Sequence, residues 1–324
     1  MKKINRFFWG VLLLLVVLYC IPCFAEAQLN VSDTIRDGGV CSKVPWWIYP
    51  AFLFALTFVI GILAVLGGVG GGVLYVPIVS AFFPFHIDFV RASGLIIVLA
   101  GSLSAGSELL RKNLANLRLA IPSALIASIS SMAGAMIGLS LPANIVQILL
   151  GITILFVVIV MVSTKKSDFP EVKTSDFLAR TLRISGSYYE ESLRKDVEWQ
   201  VHNTFPGFLL FTFVGLISGM FGLGAGWANV PVLNLLMGAP LKISVATSNF
   251  ILSISDTSAS WVYLHRGAAL PVIVVPSILG MMLGSGTGAR ILAKTKAKTI
   301  RWLIIGILIF SSVVTLCKGL KGVR

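Results

Sequence analysis

The stretch Gly68-Val69-Gly70-Gly71-Gly72, followed by Val76-Pro77, returns 154 residues later as Gly222-Leu223-Gly224-Ala225-Gly226, followed by Val230-Pro231. At the same offset Ala92-Ser93 matches Ala246-Thr247, Pro122 matches Pro276, and Gly134-Ala135 matches Gly288-Ala289. The correspondence therefore runs through whole halves of the chain. Backbone leaves a helix inside a membrane only where protein or a water-filled cavity satisfies its polar groups, so paired glycine interruptions in apolar segments point to a transporter.

Composition places the chain in the bilayer. Of 324 residues 56% are hydrophobic and 12% charged, and the mean hydropathy is +0.93. A soluble chain carries about 25% charged residues. The net charge of +13 does not imply a nucleic-acid partner, because the basic residues are not gathered with aromatics on one face. They lie mostly between apolar runs, where lysine and arginine mark the cytoplasmic side. Cys20, Cys23, Cys41 and Cys317 form no paired CxxC set, and His86, His202 and His265 are far apart, so no metal site and no cofactor is expected. There is no nucleophile beside a base and no carboxylate pair. Gly67 to Gly72 lacks the lysine and the Ser/Thr of a phosphate loop. The pattern argues against an enzyme.

The expected fold is an all-α polytopic membrane protein of two homologous, inverted repeats, each a glycine-broken helical hairpin plus three transmembrane helices. Residues 1–27 read equally as a signal peptide or as an N-terminal transmembrane helix: an apolar run from Phe7 to Phe24 follows Lys2, Lys3 and Arg6, and Ala25-Glu26-Ala27 has the form of a cleavage site. Residues 28–45 form an extracytoplasmic segment, 46–163 the first repeat, 164–204 a cytoplasmic linker, 205–317 the second repeat and 318–324 a tail. The linker holds 14 of the chain's 39 charged residues and reads as a solvated connector, with a short helix or strand pair as the alternative. In each repeat the second apolar run, about 73–84 or 227–238, is too short for a crossing of about 20 residues. Inversion follows if each hairpin enters and leaves on one side. Basic residues favour it by six to four: Lys242, Arg290, Lys294, Lys296, Lys298 and Arg301 fall inside, and Arg266, Lys318, Lys321 and Arg324 outside.

The candidate substrate-binding residues are Gly70, Gly71, Gly72 and Ser93 in the first repeat and Gly224, Gly226, Asn229, Thr247, Ser248 and Asn249 in the second. Glycine lets the chain leave the helix, and the half-helix that follows presents N–H groups that suit an anion. Glycine clusters also simply pack helices, but two at matched positions favour the site. Asn249, Ser253 and Asp256 fall on one helical face continued by Ser260, too polar as a set for lipid or for hydroxyls merely bonding back to their own helix. Asp256, equivalent to Ser102, is an ionisable group near the middle of a span. It is a candidate for coupling solute movement to protons, the alternative being a structural partner such as Arg91 or Arg290.

The two Gly-x-Gly-x-Gly-x-x-x-Val-Pro stretches and Ala246-Thr247-Ser248-Asn249 resemble the TauE/SafE sulfite exporter family of transporters over about residues 46–317. Helix starts in that family often read Gly-Thr-Ser. Here the copies read Ala92-Ser93-Gly94 and Ala246-Thr247-Ser248, which weights the site toward the second repeat. The resemblance implies a small anionic solute, sulfite or an organosulfonate such as sulfoacetate, moved across the cell inner (plasma) membrane by a multi-pass protein. The other class consistent with the residues is a non-transporting scaffold or assembly factor held by small-residue packing. Expected partners are the solute and the lipid bilayer, with a homodimer also allowed.

Overall fold

The computed structural model describes residues 48–67, 70–83, 85–111, 115–163, 175–190, 195–292 and 297–321. The readings of the N-terminal leader, the extracytoplasmic segment and Cys20, Cys23 and Cys41 lie outside them. The first repeat comprises α1 (Ile48–Gly67), α2 (Gly72–Phe82), α3 (Ile87–Arg111), α4 (Leu117–Ser140) and α5 (Ala143–Ser163). A linker follows with α6 (Phe177–Thr181), β1 (Ser185–Glu190) and β2 (Lys195–Gln200). The second repeat comprises α7 (Thr204–Phe221), α8 (Gly226–Pro231) continued by a π-helical turn (Val232–Leu236), α9 (Leu241–His265), α10 (Pro271–Leu292) and α11 (Ala297–Lys321). The starts of α2, α3, α4 and α5 and those of α8, α9, α10 and α11 are each 154 residues apart, the offset of the sequence repeat.

Among the described residues five helices are long and apolar enough to cross a membrane: residues 87–104, 117–140, 143–163, 204–221 and 271–288. Ile129 on α4, Ile159 on α5, Phe213 on α7 and Leu283 on α10 are more than half exposed, apolar side chains for which lipid is the natural neighbour. By contrast every residue of α2 is buried. At 11 residues α2 is roughly 16 Å long, about half of the hydrocarbon core, so by itself it is too short to cross. Helix α9 has 25 residues, enough to span, but its serines keep it outside the apolar set, and protein surrounds most of it.

Small residues set the packing. A Cβ at Gly219 of α7 would collide with the Ser131 carbonyl of α4, and one at Gly134 of α4 with the Leu216 carbonyl of α7. The equivalent contact in the other half joins Gly284 and Gly280 of α10 to Phe58 and Phe54 of α1. Gly215 and Gly219 of α7 meet Ala127 and Ser131 of α4 in turn, as Gly280 and Gly284 of α10 meet Phe54 and Phe58 of α1, so α4 runs parallel to α7 and α1 to α10. The helices that correspond by repeat behave oppositely. Arg91 of α3 meets Tyr263 of α9 while Gly106 meets Asn249, and Gly151 of α5 meets Ser312 of α11 while Ile148 meets Gly319. Thus α3 and α9 are antiparallel, as are α5 and α11.

The linker departs from the expected solvated connector. Strands β1 and β2 pair antiparallel with Ser185 opposite Gln200 and Glu190 opposite Lys195. Ala179, Ile184, Trp199 and Val201 are buried and share a core with Leu119 and Ala120 of α4 and with Met237. The Asp176 carboxylate accepts from the Thr204 N–H at 3.0 Å and the Thr204 hydroxyl at 2.8 Å, satisfying the first turn of α7. Arg180, Arg183 and Glu198 are exposed while apolar residues between them dock the segment onto the bundle, a pattern that charge density alone conceals.

The close glycine contacts make a direct comparison possible. Gly219→Val is expected to lower the thermal unfolding midpoint of the detergent-solubilised protein, by an overpacking penalty of about 1–3 kcal/mol or more. Gly306→Val, at a position with nothing within 4 Å of an added Cβ, should leave the midpoint near that of the parent.

Candidate functional site

The two glycine breaks meet. Gly70 has φ 84°, and Gly222 and Gly224 each have φ 70°, a backbone region that only glycine enters without strain. A Cβ at Gly70 would lie 3.8 Å from the Gly226 Cα. One at Gly72 would run into the Leu223 carbonyl and Val98, and Gly224 is likewise pressed on Val98 of α3. Gly71 caps α2, its carbonyl accepting from the Tyr75 N–H at 2.9 Å. Five of the candidate residues, Gly70, Gly71, Gly72, Gly224 and Gly226, thus belong to one junction between the repeats.

The polar candidates are in different states. Ser93 is buried and fully committed: its hydroxyl donates toward the Phe89 and Val90 carbonyls at 2.7 and 2.9 Å and accepts from the Tyr75 hydroxyl at 3.1 Å. Thr247, its repeat equivalent, is fully buried and accepts from the Asn116 N–H at 3.3 Å, where α4 begins. Asn229 on α8 is fully buried, and neither its amide nitrogen nor its amide oxygen has a partner among the described residues. Ser248 is buried. Asn249 is half-buried and donates to the Val245 carbonyl of its own helix at 2.9 Å.

Such back-bonding accounts for more of α9 than the sequence suggests. Ser253, Thr257 and Ser258 all donate to carbonyls three or four residues earlier. What it does not account for is Asp256, fully buried in mid-helix: among the described residues its Oδ1 receives only long bonds from Ser218 at 3.5 Å and Ser255 at 3.4 Å and its Oδ2 has no partner. Ser128 and Ser260 are also buried with unpartnered hydroxyls.

Arg91 is not the counter-ion of Asp256. It is fully buried, pairs with Asp88 one turn away, donates to the Met220 carbonyl at 2.9 Å and lies 5.7 Å from the Tyr263 ring centroid. A Cβ at Gly222 would strike the Arg91 backbone, so the ion pair secures the place where α7 ends and the second break begins. The Arg290 side chain lies outside the described residues.

A family model described as sulfite exporter TauE/SafE matches residues 53–315. The chain belongs to the TauE/SafE family of membrane transporters. It is 26% identical over 260 residues to the probable membrane transporter protein YunE of Bacillus subtilis, covering 76% of this chain and 90% of that one. It is 24% identical over 258 residues to the probable membrane transporter protein ORF9 of a Sinorhizobium species, covering 79% and 87%. A probable membrane transporter protein of Methanocaldococcus jannaschii is 23% identical over 272 residues, covering 79% and 91%. No solved structure matches the chain. As a TauE/SafE member with several apolar helices, it is a multi-pass membrane protein.

Two features of this TauE/SafE chain were not singled out from sequence as site residues. Tyr75 lies within an apolar run, and its one signal in the sequence is that the repeat sets it opposite the unlike residue Asn229. Asp88 carries no signal of its own in the sequence, since its partner Arg91 lies one helical turn away and their role depends on the Met220 carbonyl. Removing one member of a buried ion pair leaves the other uncompensated, at a cost of about 3–5 kcal/mol when both are buried. Asp88 is partly exposed, so Asp88→Asn should fall at or below the lower end. The double variant Asp88→Asn/Arg91→Met should unfold at a higher temperature than Asp88→Asn alone, which thermal unfolding in detergent can measure.

Proposed function

We propose that this protein is a secondary transporter that moves a small anionic sulfur compound, sulfite or an organosulfonate such as sulfoacetate, across the bacterial inner membrane by alternating access. The observation that carries the reading is the junction itself: two glycine breaks in mutual contact inside the bundle, with the buried amide of Asn229 and hydroxyl of Thr247 on the helices that follow. Breaks of this kind mark binding sites because their free backbone groups need a polar partner. The description of the matching family, a sulfite exporter, supports the choice of solute.

The same reading takes the repeats as inverted, with residues 46–163 and 205–317 as the two units. Parallel contact between α4 and α7 and between α1 and α10, together with antiparallel contact between α3 and α9 and between α5 and α11, is unchanged when the repeats are exchanged about a twofold axis perpendicular to the helices. That exchange supports a solute site near the bilayer midplane, open in turn to either side as one repeat moves against the other. Asp256 supplies the coupling. Ionised, its carboxylate would repel an anion, and a proton on it removes that repulsion, so anion and proton move together.

Proteoliposomes loaded with the purified protein should accumulate radiolabelled sulfite or sulfoacetate above empty liposomes. Thr247→Ala should weaken binding roughly ten- to a hundred-fold, the value of about 1.5–3 kcal/mol for a hydrogen bond to a charged group. Asp256→Asn should retain binding but lose the pH dependence of flux. Absence of flux for every sulfur anion tried would refute the reading.

For the inverted arrangement, single cysteines introduced at Gly267 and Lys296 are expected to react with a membrane-impermeant maleimide from opposite sides, the former from outside and the latter from inside. Labelling of both from the same side would show that the second repeat is not inverted.

A further inference from the structure

The repeat sets Tyr75 against Asn229 and Ser93 against Thr247, and the two pairs are chemically unlike. In the first repeat the Tyr75 hydroxyl donates to Ser93 at 3.1 Å, and Ser93 donates to its own helix, so both hydroxyls are engaged and the bulky phenol fills the space. In the second repeat the smaller Asn229 is fully buried with both ends of its amide unpartnered. Thr247, also fully buried, accepts one N–H and donates to none of the described residues. Buried polar groups are almost always paired, and an amide unpaired at both ends inside a bundle calls for a polar partner.

An amide presents two N–H donors and one carbonyl acceptor. The donors suit an oxyanion. The carbonyl does not: the oxygens of a fully deprotonated oxyanion only accept, and against the Asn229 oxygen they would place lone pair on lone pair. Charge points the same way, because among the described residues the one fully buried cation, Arg91, is already paired with Asp88. We propose that the solute carries its own hydrogen-bond donor beside its oxyanion, as a hydroxy- or amino-substituted sulfonate or the hydrogen form of sulfite does, and that Asn229 reads that donor while Tyr75 closes the equivalent half-site. The inference rests on the anion-transport reading and narrows it from any small sulfur anion to one with a proton to give.

Calorimetric titration of the detergent-solubilised full chain with isethionate and with propanesulfonate makes the test, since the two differ by a hydroxyl in place of a methyl at matched size. The expected result is isethionate binding at least about tenfold more tightly, with the preference falling below about twofold in Asn229→Leu, which keeps the bulk and removes donor and acceptor. Equal affinity in the parent protein, a preference for propanesulfonate, binding of neither, or a preference undiminished in Asn229→Leu each overturn the inference. The comparison in the parent protein stands alone if the variant does not fold. Sulfite flux into proteoliposomes separates the two readings: flux without isethionate preference leaves the transporter standing and removes the donor requirement, whereas loss of both removes the transport reading as well.

Discussion

The contact on which the rest of this structure depends is backbone against backbone at the two glycine breaks, where Gly70 approaches Gly226 and Gly72 approaches the Leu223 carbonyl. Side chains cannot enter there without collision, and the left-handed turns at Gly70, Gly222 and Gly224 exclude most other residues on conformational grounds. Two short helices, α2 and α8, radiate from the junction and are buried along nearly all of their length, so the longer helices must surround them. The apolar bands on α4, α5, α7 and α10 are the outer surface of that enclosure.

Small residues carry the same logic outward. In a bilayer there is little hydrophobic gain from helix association, so helices hold together where backbones come close. Gly134 and Gly219, and in the other half Gly280 and Gly284, place helix pairs in parallel contact by this means. The outer helices are thereby pinned to each other across the repeats rather than within them, which leaves each hairpin seated between elements of both halves.

Polar groups are distributed unevenly on this nearly symmetric frame. Arg91 and Asp88 belong to the first repeat alone, since the position equivalent to Arg91 is Val245, and they secure the second break. Asn229, Thr247 and Asp256 belong to the second repeat, where Tyr75, Ser93 and Ser102 are their counterparts. Of those counterparts, Tyr75 is paired with Ser93, and the hydroxyls of Ser93 and Ser102 bond to carbonyls of their own helix. A duplicated frame with chemistry concentrated in one half favours a site read mainly by the second repeat.

The amino-acid sequence by itself determined the membrane setting, the duplication and the approximate positions of the helices in the two repeats, because apolar length, glycine interruption and a constant offset are local properties of the chain. It also marked Asn229, Thr247 and Asp256 as candidates through polarity in apolar surroundings. Only the tertiary structure decided which polar groups are already engaged: the Ser93 hydroxyl with Tyr75, the Asn249 amide nitrogen with its own helix, the Arg91 charge with Asp88. It alone docked the charged linker through Trp199 and Val201 and brought the two breaks together. Hydrogen-bond satisfaction and contact between halves depend on atoms far apart in sequence, and no local pattern encodes whether a buried donor or acceptor has met its partner.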